Sequence, residues 1–272
     1  MKEQKEIIQE YYDSHPKKEW DRLQKDHPYE KYITVHMMDQ MIPEGATILD
    51  IGGGPGHYSV YYAKKGHEVT LFDLSPENIR FAKKKAYQYG VRFTAMQGDA
   101  MDLSRFSDNT FDVVFLMGPM YHLLSEKNRI RALTEAKRVL KPGGLLFTSF
   151  ILLFGGVVYG LRDLRESICR EQEKPVYEAC ARDESLALDA FTYSYMTTIP
   201  DAKKLIGKIP GLTTVKIFGQ ESILAPYRRL LAETPRKIRL AWYDYAIRFC
   251  DKEDFLTHTE HLMIVSRKEG KK

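Results

Sequence analysis

Residues 1 to about 42 carry apolar positions at helical spacing, interrupted at His15-Pro16 and His27-Pro28, where proline cannot continue the preceding turn. From residue 46 a regular alternation begins. Residues 46–51 form a short apolar run ending in glycines, which predicts a buried strand, and His57 to Lys65 reads as a helix with Gly66 as its stop. Glu68 to Phe72 reads as a second strand. Ser75-Pro76-Glu77 opens a helix, with serine as cap and proline at the first helical position. Val91 to Met96 and Phe111 to Met117 read as the third and fourth strands. Ser125 to Leu140 follows as a helix closed by Lys141-Pro142-Gly143-Gly144, and Leu145 to Ile151 reads as a fifth strand.

Strands and helices alternating at this spacing predict an α/β fold, with a doubly wound, mostly parallel sheet and helices on both faces. Beyond residue 152 the pattern loosens. Gly155 to about Lys174, Val176 to Leu188 and Tyr227 to Phe249 read as helical, and Thr213 to Ile217 and His261 to Ser266 as strands. The expectation is a seven-stranded sheet whose last two strands come late. Residues 1–42 would be an N-terminal helical lid, 43–152 the cofactor-binding core, and 153–272 cap helices plus those last two strands.

Composition narrows the class of partner. Forty-one Lys and Arg against 37 Asp and Glu leave a net charge of only +4 over 272 residues. A nucleic-acid binder carries a stronger basic excess, so the balance favours a small molecule. The three cysteines (Cys169, Cys180, Cys250) are widely spaced, which suits a reducing cytoplasm better than a disulfide framework or a zinc site. The first residues lack an apolar signal core, and no run approaches a membrane span; the apolar stretch Leu145 to Leu161 is broken by Thr148, Ser149 and glycines.

The chemistry begins at Ile48-Leu49-Asp50-Ile51-Gly52-Gly53-Gly54-Pro55-Gly56. A glycine-rich turn between a strand and a helix brings backbone N–H groups and a helix N-terminus to a ligand. A dinucleotide fingerprint wants a third glycine where this chain has His57, which tells against an NAD-dependent oxidoreductase, and no Lys-Ser/Thr ending marks a nucleotide-triphosphate loop. Glycines at 52, 54 and 56 behind Asp50 resemble the first motif of the class I (Rossmann-like) S-adenosylmethionine-dependent methyltransferases. The resemblance continues over residues 46–151. It includes Asp73-Leu74 after the second strand, Gly98-Asp99-Ala100-Met101 after the third, Phe115-Leu116-Met117-Gly118 at the fourth, and the turn Leu140 to Gly144.

The resemblance implies S-adenosylmethionine as cofactor and S-adenosylhomocysteine as product. It implies that Asp50, Gly52, Gly53, Gly54 and Gly56 form the cofactor turn, that Asp73 holds the ribose diol and that Leu74 packs on adenine. Asp99 would accept from the adenine amine, Ala100 and Met101 would line the base, and Leu116 and Met117 would lie beside the methionine portion. Asp50 could equally be a structural acid that hydrogen-bonds the turn.

Met117-Gly118-Pro119-Met120-Tyr121-His122 follows the fourth strand, at the sheet edge where doubly wound folds place ligands. His122 is the candidate general base there, with Tyr121 lining the pocket, or both anchor a loop through hydrogen bonds. In the N-terminal block Tyr11, Tyr12 and Trp20 are candidate lid walls, and Arg22 a candidate partner for the donor's carboxylate. No metal-ligand spacing is present. The reading that follows is in-line methyl transfer to an O, N or S atom of a small molecule, without metal. An RNA or protein methyltransferase using the basic segment Tyr227 to Arg248, and a non-catalytic cofactor binder, are the alternatives. Neither the acceptor nor the oligomeric state follows from these motifs.

Overall fold

The computed structural model describes residues 4–189 and 192–270. Three helices come first: α1 (Gln4–Ser14), α2 (Pro16–Asp21), which runs on into a π-helical turn at Arg22–Asp26, and α3 (Pro28–Asp39). The alternation then runs β1 (Thr47–Ile51), α4 (His57–Lys64), β2 (Glu68–Asp73), α5 (Pro76–Gln88), β3 (Thr94–Gln97), β4 (Phe111–Leu116), α6 (Glu126–Val139) and β5 (Leu140–Leu152). The remainder comprises α7 (Leu153–Asp163), α8 (Lys174–Arg182), β6 (Leu186–Asp189), β7 (Tyr193–Thr197), α9 (Ile199–Gly207), β8 (Leu212–Gly219), α10 (Arg228–Glu233), α11 (Arg236–Phe249) and β9 (His261–Lys268).

The seven expected strands lie in the order β3-β2-β1-β4-β5-β9-β8, parallel through β5, with β9 antiparallel to β5 and β8 antiparallel to β9. Parallel strands covered on both faces must be apolar on both, and β4 follows that rule. Val113 and Phe115 pack with Tyr29, Ile33, Tyr62 and Tyr243 on one side, while Val114 and Leu116 pack with Ala132, Leu133 and Ile206 on the other. Helix starts follow the sequence signals: Ser75 Oγ accepts from the Asn78 N–H and Ser125 Oγ from the Asn128 N–H, each ahead of its helix.

Two expectations about the second half need correction. The sheet has nine strands, because the stretch read as one helix over 176–188 ends at Arg182, where Asp183 takes a left-handed φ of 57°. Leu186–Asp189 then pairs with β7 as a hairpin. β7 joins β5 at Ile151 and Leu152, just past the end of β4 and opposite the edge held by β9. The helix read over 227–249 is broken at Thr234-Pro235 into α10 and α11. Among the described residues no helix is long and apolar enough to cross a membrane.

Candidate active site

A cavity of about 400 Å³ opens at the carboxyl ends of β1, β2, β4 and β5. Its floor is the turn after β1. Gly52 and Gly54 sit at φ 68° and 55°, a region that disfavours a side chain, and a Cβ on Gly52 would fall 2.6 Å from Pro119 Cδ. The Gly54 N–H donates to Asp73 Oδ2 at 2.8 Å, while Asp73 Oδ1 accepts from the Ser75 N–H and Asn78 Nδ2 at 2.9 and 3.1 Å. Asp73 therefore ties the turn after β1 to the start of α5 and still lines the cavity. Asn78 Oδ1, buried beside it, has no hydrogen-bond partner among the described residues. Asp50 is 1% exposed and receives a hydrogen bond from Ser59 Oγ at 2.7 Å. Burial pushes its carboxyl up to about 7, against the opposing pull of Ser59.

Leu74, Gly98, Asp99, Ala100 and Met101 line the next stretch of the wall. Asp99 is engaged on both oxygens, by Lys5 Nζ of α1 at 2.7 Å and by the Met101 N–H at 2.9 Å. Gly98 is required by space: a Cβ there would lie 1.8 Å from Cζ of the buried Phe72 ring. Gly98→Ala is expected to cost about 3 kcal/mol by overpacking, and a midpoint unchanged in a urea unfolding titration would contradict that.

α1 lies against the cavity and is fastened at several points. Gln4 Nε2 donates to the His122 carbonyl at 2.8 Å, and Ser75 Oγ donates to Asp13 Oδ1. Tyr12 Oη lies 2.6 Å from His122 Nε2, and His122 Nδ1 lies 3.0 Å from the Tyr193 carbonyl. A carbonyl only accepts, so Nδ1 carries the hydrogen and Nε2 accepts from Tyr12. Burial lowers the His122 pKa to about 4, which keeps the ring neutral. Both nitrogens are thus committed to holding α1 and the β6–β7 hairpin around the loop after β4. Of the two roles considered for His122, this geometry is that of an anchor.

The wall opposite Asp99 is polar and was not visible in the sequence. Arg22 lines it. The guanidinium is held bidentately by Glu30, with Nη1–Oε2 at 2.6 Å and Nη2–Oε1 at 3.1 Å, because a carboxylate only 3% exposed requires a counter-cation. Ser149, Gln220 and His261 complete this end. They stand far apart in the chain and carry no motif. The only hint was a histidine ahead of the apolar run Leu262 to Val265 in the final strand.

Tyr121, Met117 and Tyr12 line the cavity. Four candidates do not. Leu116 is fully buried in the core, since it faces α6 rather than the cavity. Gly56 serves as the left-handed cap of α4 at φ 88°, packed on Ala82. Trp20 stacks on His57 at 3.8 Å, and Tyr11 stacks on His15 at 4.7 Å, so each is satisfied outside the cavity.

A doubly wound sheet with this strand order and a glycine turn bridged to an acid after β2 defines a nucleoside-cofactor domain of the methyltransferase type. Residues 48–144 match the family model described as a methyltransferase domain. Over 128 residues the chain is 34% identical to a putative methyltransferase, YqeM, of Bacillus subtilis, covering 47% of this chain and 50% of that protein. Over 107 residues it is 36% identical to a ubiquinone biosynthesis O-methyltransferase of Xanthomonas axonopodis pv. citri, covering 39% and 44% respectively. The match spans about half the length of these curated relatives. A solved S-adenosylmethionine-dependent methyltransferase from Methanosarcina mazei shares the fold with a TM-score of 0.58 at 20% identity, over 86% of this chain and 98% of that one. Residues 48–144 thus resemble the methyltransferase domain of the class I S-adenosylmethionine-dependent enzymes, on the fold those enzymes share.

Proposed function

We propose that this protein transfers the methyl group of S-adenosylmethionine to a small molecule, in a reducing cytoplasm that suits its free cysteines. The observation that carries the reading is one cavity joining a donor cradle to a separate polar end. The cradle fits the cofactor: the left-handed turn at Gly52 and Gly54 keeps side chains out of the space, Asp73 and Asp99 line it, and Asn78 Oδ1 is unpaired among the described residues. Bound there, S-adenosylmethionine supplies a methyl group already activated on a sulfonium. Asp73 would accept from the ribose hydroxyls, Leu74, Ala100 and Met101 would sandwich the base, and Asp50 would face the donor's ammonium, whose charge favours the ionised carboxylate. Asp99 can take the adenine amine only by sharing an oxygen with Lys5 or releasing it. α1 would act as the lid, excluding water through its fastenings at His122, Ser75 and Asp99.

A small acceptor is supported by the enclosure of the other end, where Ser149 and Gln220 are 1% and 2% exposed. An RNA or protein side chain would need an open groove there. The relatives named for ubiquinone biosynthesis point the same way. Calorimetric titration tests the core of the proposal: S-adenosylhomocysteine should bind and NAD should not. Binding of NAD alone would sink it.

A further inference from the structure

β9 begins with His261, paired with Ile151 of β5 and separated from Asp99 by the breadth of the sheet. His261 Nδ1 lies 2.6 Å from Glu221 Oε1. Glu221 has no exposed surface, and its Oε2 accepts from Thr259 Oγ1, the Glu260 N–H and the His261 N–H at 2.6, 3.1 and 2.8 Å. Glu221 Oε1 faces Nδ1 as an acceptor, which places a hydrogen on Nδ1 and sets the ring's orientation. Nε2 is then the nitrogen left for the cavity that His261 lines, and it makes no hydrogen bond among the described residues.

The charges around the ring come from several elements. Glu30 and Arg22 approach from α3 and the turn after α2, Glu221 from the turn after β8, and Tyr121 from the loop after β4, with ring centroids 6.2 Å apart. Glu260, the preceding residue, is held by Arg162 of α7 at 2.6 Å. Burial alone would lower the ring's pKa, but the charge and hydrogen bond of Glu221, with Glu30 adding, outweigh it and raise it to about 9. One ligand atom from each of Glu30, Glu221 and His261 lies within 4.8 Å of the others. Both carboxylates already have their cations and N–H donors, so the cluster is an ion-pair network rather than a metal centre.

Resting on the methyltransferase reading, we propose that His261 is the catalytic residue that receives the acceptor, that Glu221 is its positioning residue, and that the acceptor is a small compound with an acidic hydroxyl, a phenol or enol, held as its oxyanion on Nε2–H. The hydroxyl proton passes to Nε2 when the ring is neutral, or to solvent before binding when the ring is already an imidazolium. The oxyanion's lone pair forms the O–CH₃ bond, and the electron pair of the breaking S–CH₃ bond stays on sulfur. An amine acceptor would arrive as an ammonium and meet two cations, the imidazolium and the sulfonium.

The test measures release of S-adenosylhomocysteine from S-adenosylmethionine with three probe sets: phenols (catechol, 3,4-dihydroxybenzoate, 4-nitrophenol), amines (glycine, dimethylamine) and thiols (2-mercaptoethanol, thiophenol). Transfer to a phenol and to neither other set is expected. His261→Gln should lower that turnover at least about 100-fold, the usual range for a lost acid–base group, while S-adenosylhomocysteine binding measured by calorimetry stays as in wild type. Glu221→Gln removes the charge that raises the ring's pKa, so the pH profile of turnover should shift to lower pH than in wild type. Transfer to amines or thiols but not phenols overturns the proposal, as does full turnover in His261→Gln or an unmoved pH profile in Glu221→Gln. Wild type that fails to bind S-adenosylhomocysteine overturns the methyltransferase reading itself and this inference with it.

Discussion

Asp73→Ala is expected to weaken S-adenosylhomocysteine binding by at least about 100-fold in a calorimetric titration. Hydrogen bonds to a charged group contribute about 1.5–3 kcal/mol each, and two ribose hydroxyls would share this carboxylate, which sets the scale at roughly 3–6 kcal/mol. A second effect adds to the first. The same carboxylate holds the Gly54 N–H, the Ser75 N–H and Asn78 Nδ2, so its removal also loosens the turn on which the donor's methionine end would rest. Asp73→Asn separates the two contributions: the side chain keeps its volume and one acceptor oxygen, so binding should fall less. Wild-type affinity in Asp73→Ala would remove the ribose from this position.

Glu221→Ala is expected to lose about 3–5 kcal/mol of stability, the usual result of removing one partner from a buried pair. For a chain of this size that lowers the melting midpoint by roughly 6–20 °C. The loss falls on several groups at once, since Thr259 Oγ1, two backbone N–H groups and the His261 imidazolium all lose their acceptor. The pH dependence has a definite sign. The His261 pKa is raised from 6.5 to about 9 in the folded chain, so its contribution is complete below about pH 6.5 and disappears as pH rises through about 9. Wild type should therefore lose more stability between pH 7 and pH 10 than Glu221→Ala does, measured by scanning calorimetry in both buffers. Parallel curves for the two proteins would show that the pair does not carry this charge.

The first half of the fold was readable because its signals are local. A serine cap before Pro76, a glycine stop at Gly66 and apolar runs bounded by turns each act within a few residues of chain. The β6–β7 hairpin escaped because Leu186–Asp189 is short and gains its pairing only from β7, at the far end of β5. The break of the last long helix at Pro235 was readable in principle, since proline there interrupts the apolar periodicity. The cavity-lining residues Asp50, Gly52, Gly54, Asp73 and Asp99 were legible for the same local reason, since they lie at or just past the ends of β1, β2 and β3. The lid residues were legible only as candidates: Tyr12 turned inward to His122, while Trp20 and Tyr11 found aromatic neighbours elsewhere.

The amino-acid sequence by itself determined the alternation of strands and helices, the glycine turn after the first strand, and the family which that turn resembles. Each of these is written in spacing along one short stretch of chain, where backbone geometry and glycine freedom decide the outcome. Only the tertiary structure decided which groups line the polar end of the cavity. It paired Arg22 with Glu30 in the cavity wall, committed both nitrogens of His122 to protein partners, and set His261 beside Glu221 at the polar end of the cavity. The reason is that buried charges pair across space, and residues 30, 221 and 261 meet only after β9 has added to the open edge of β5.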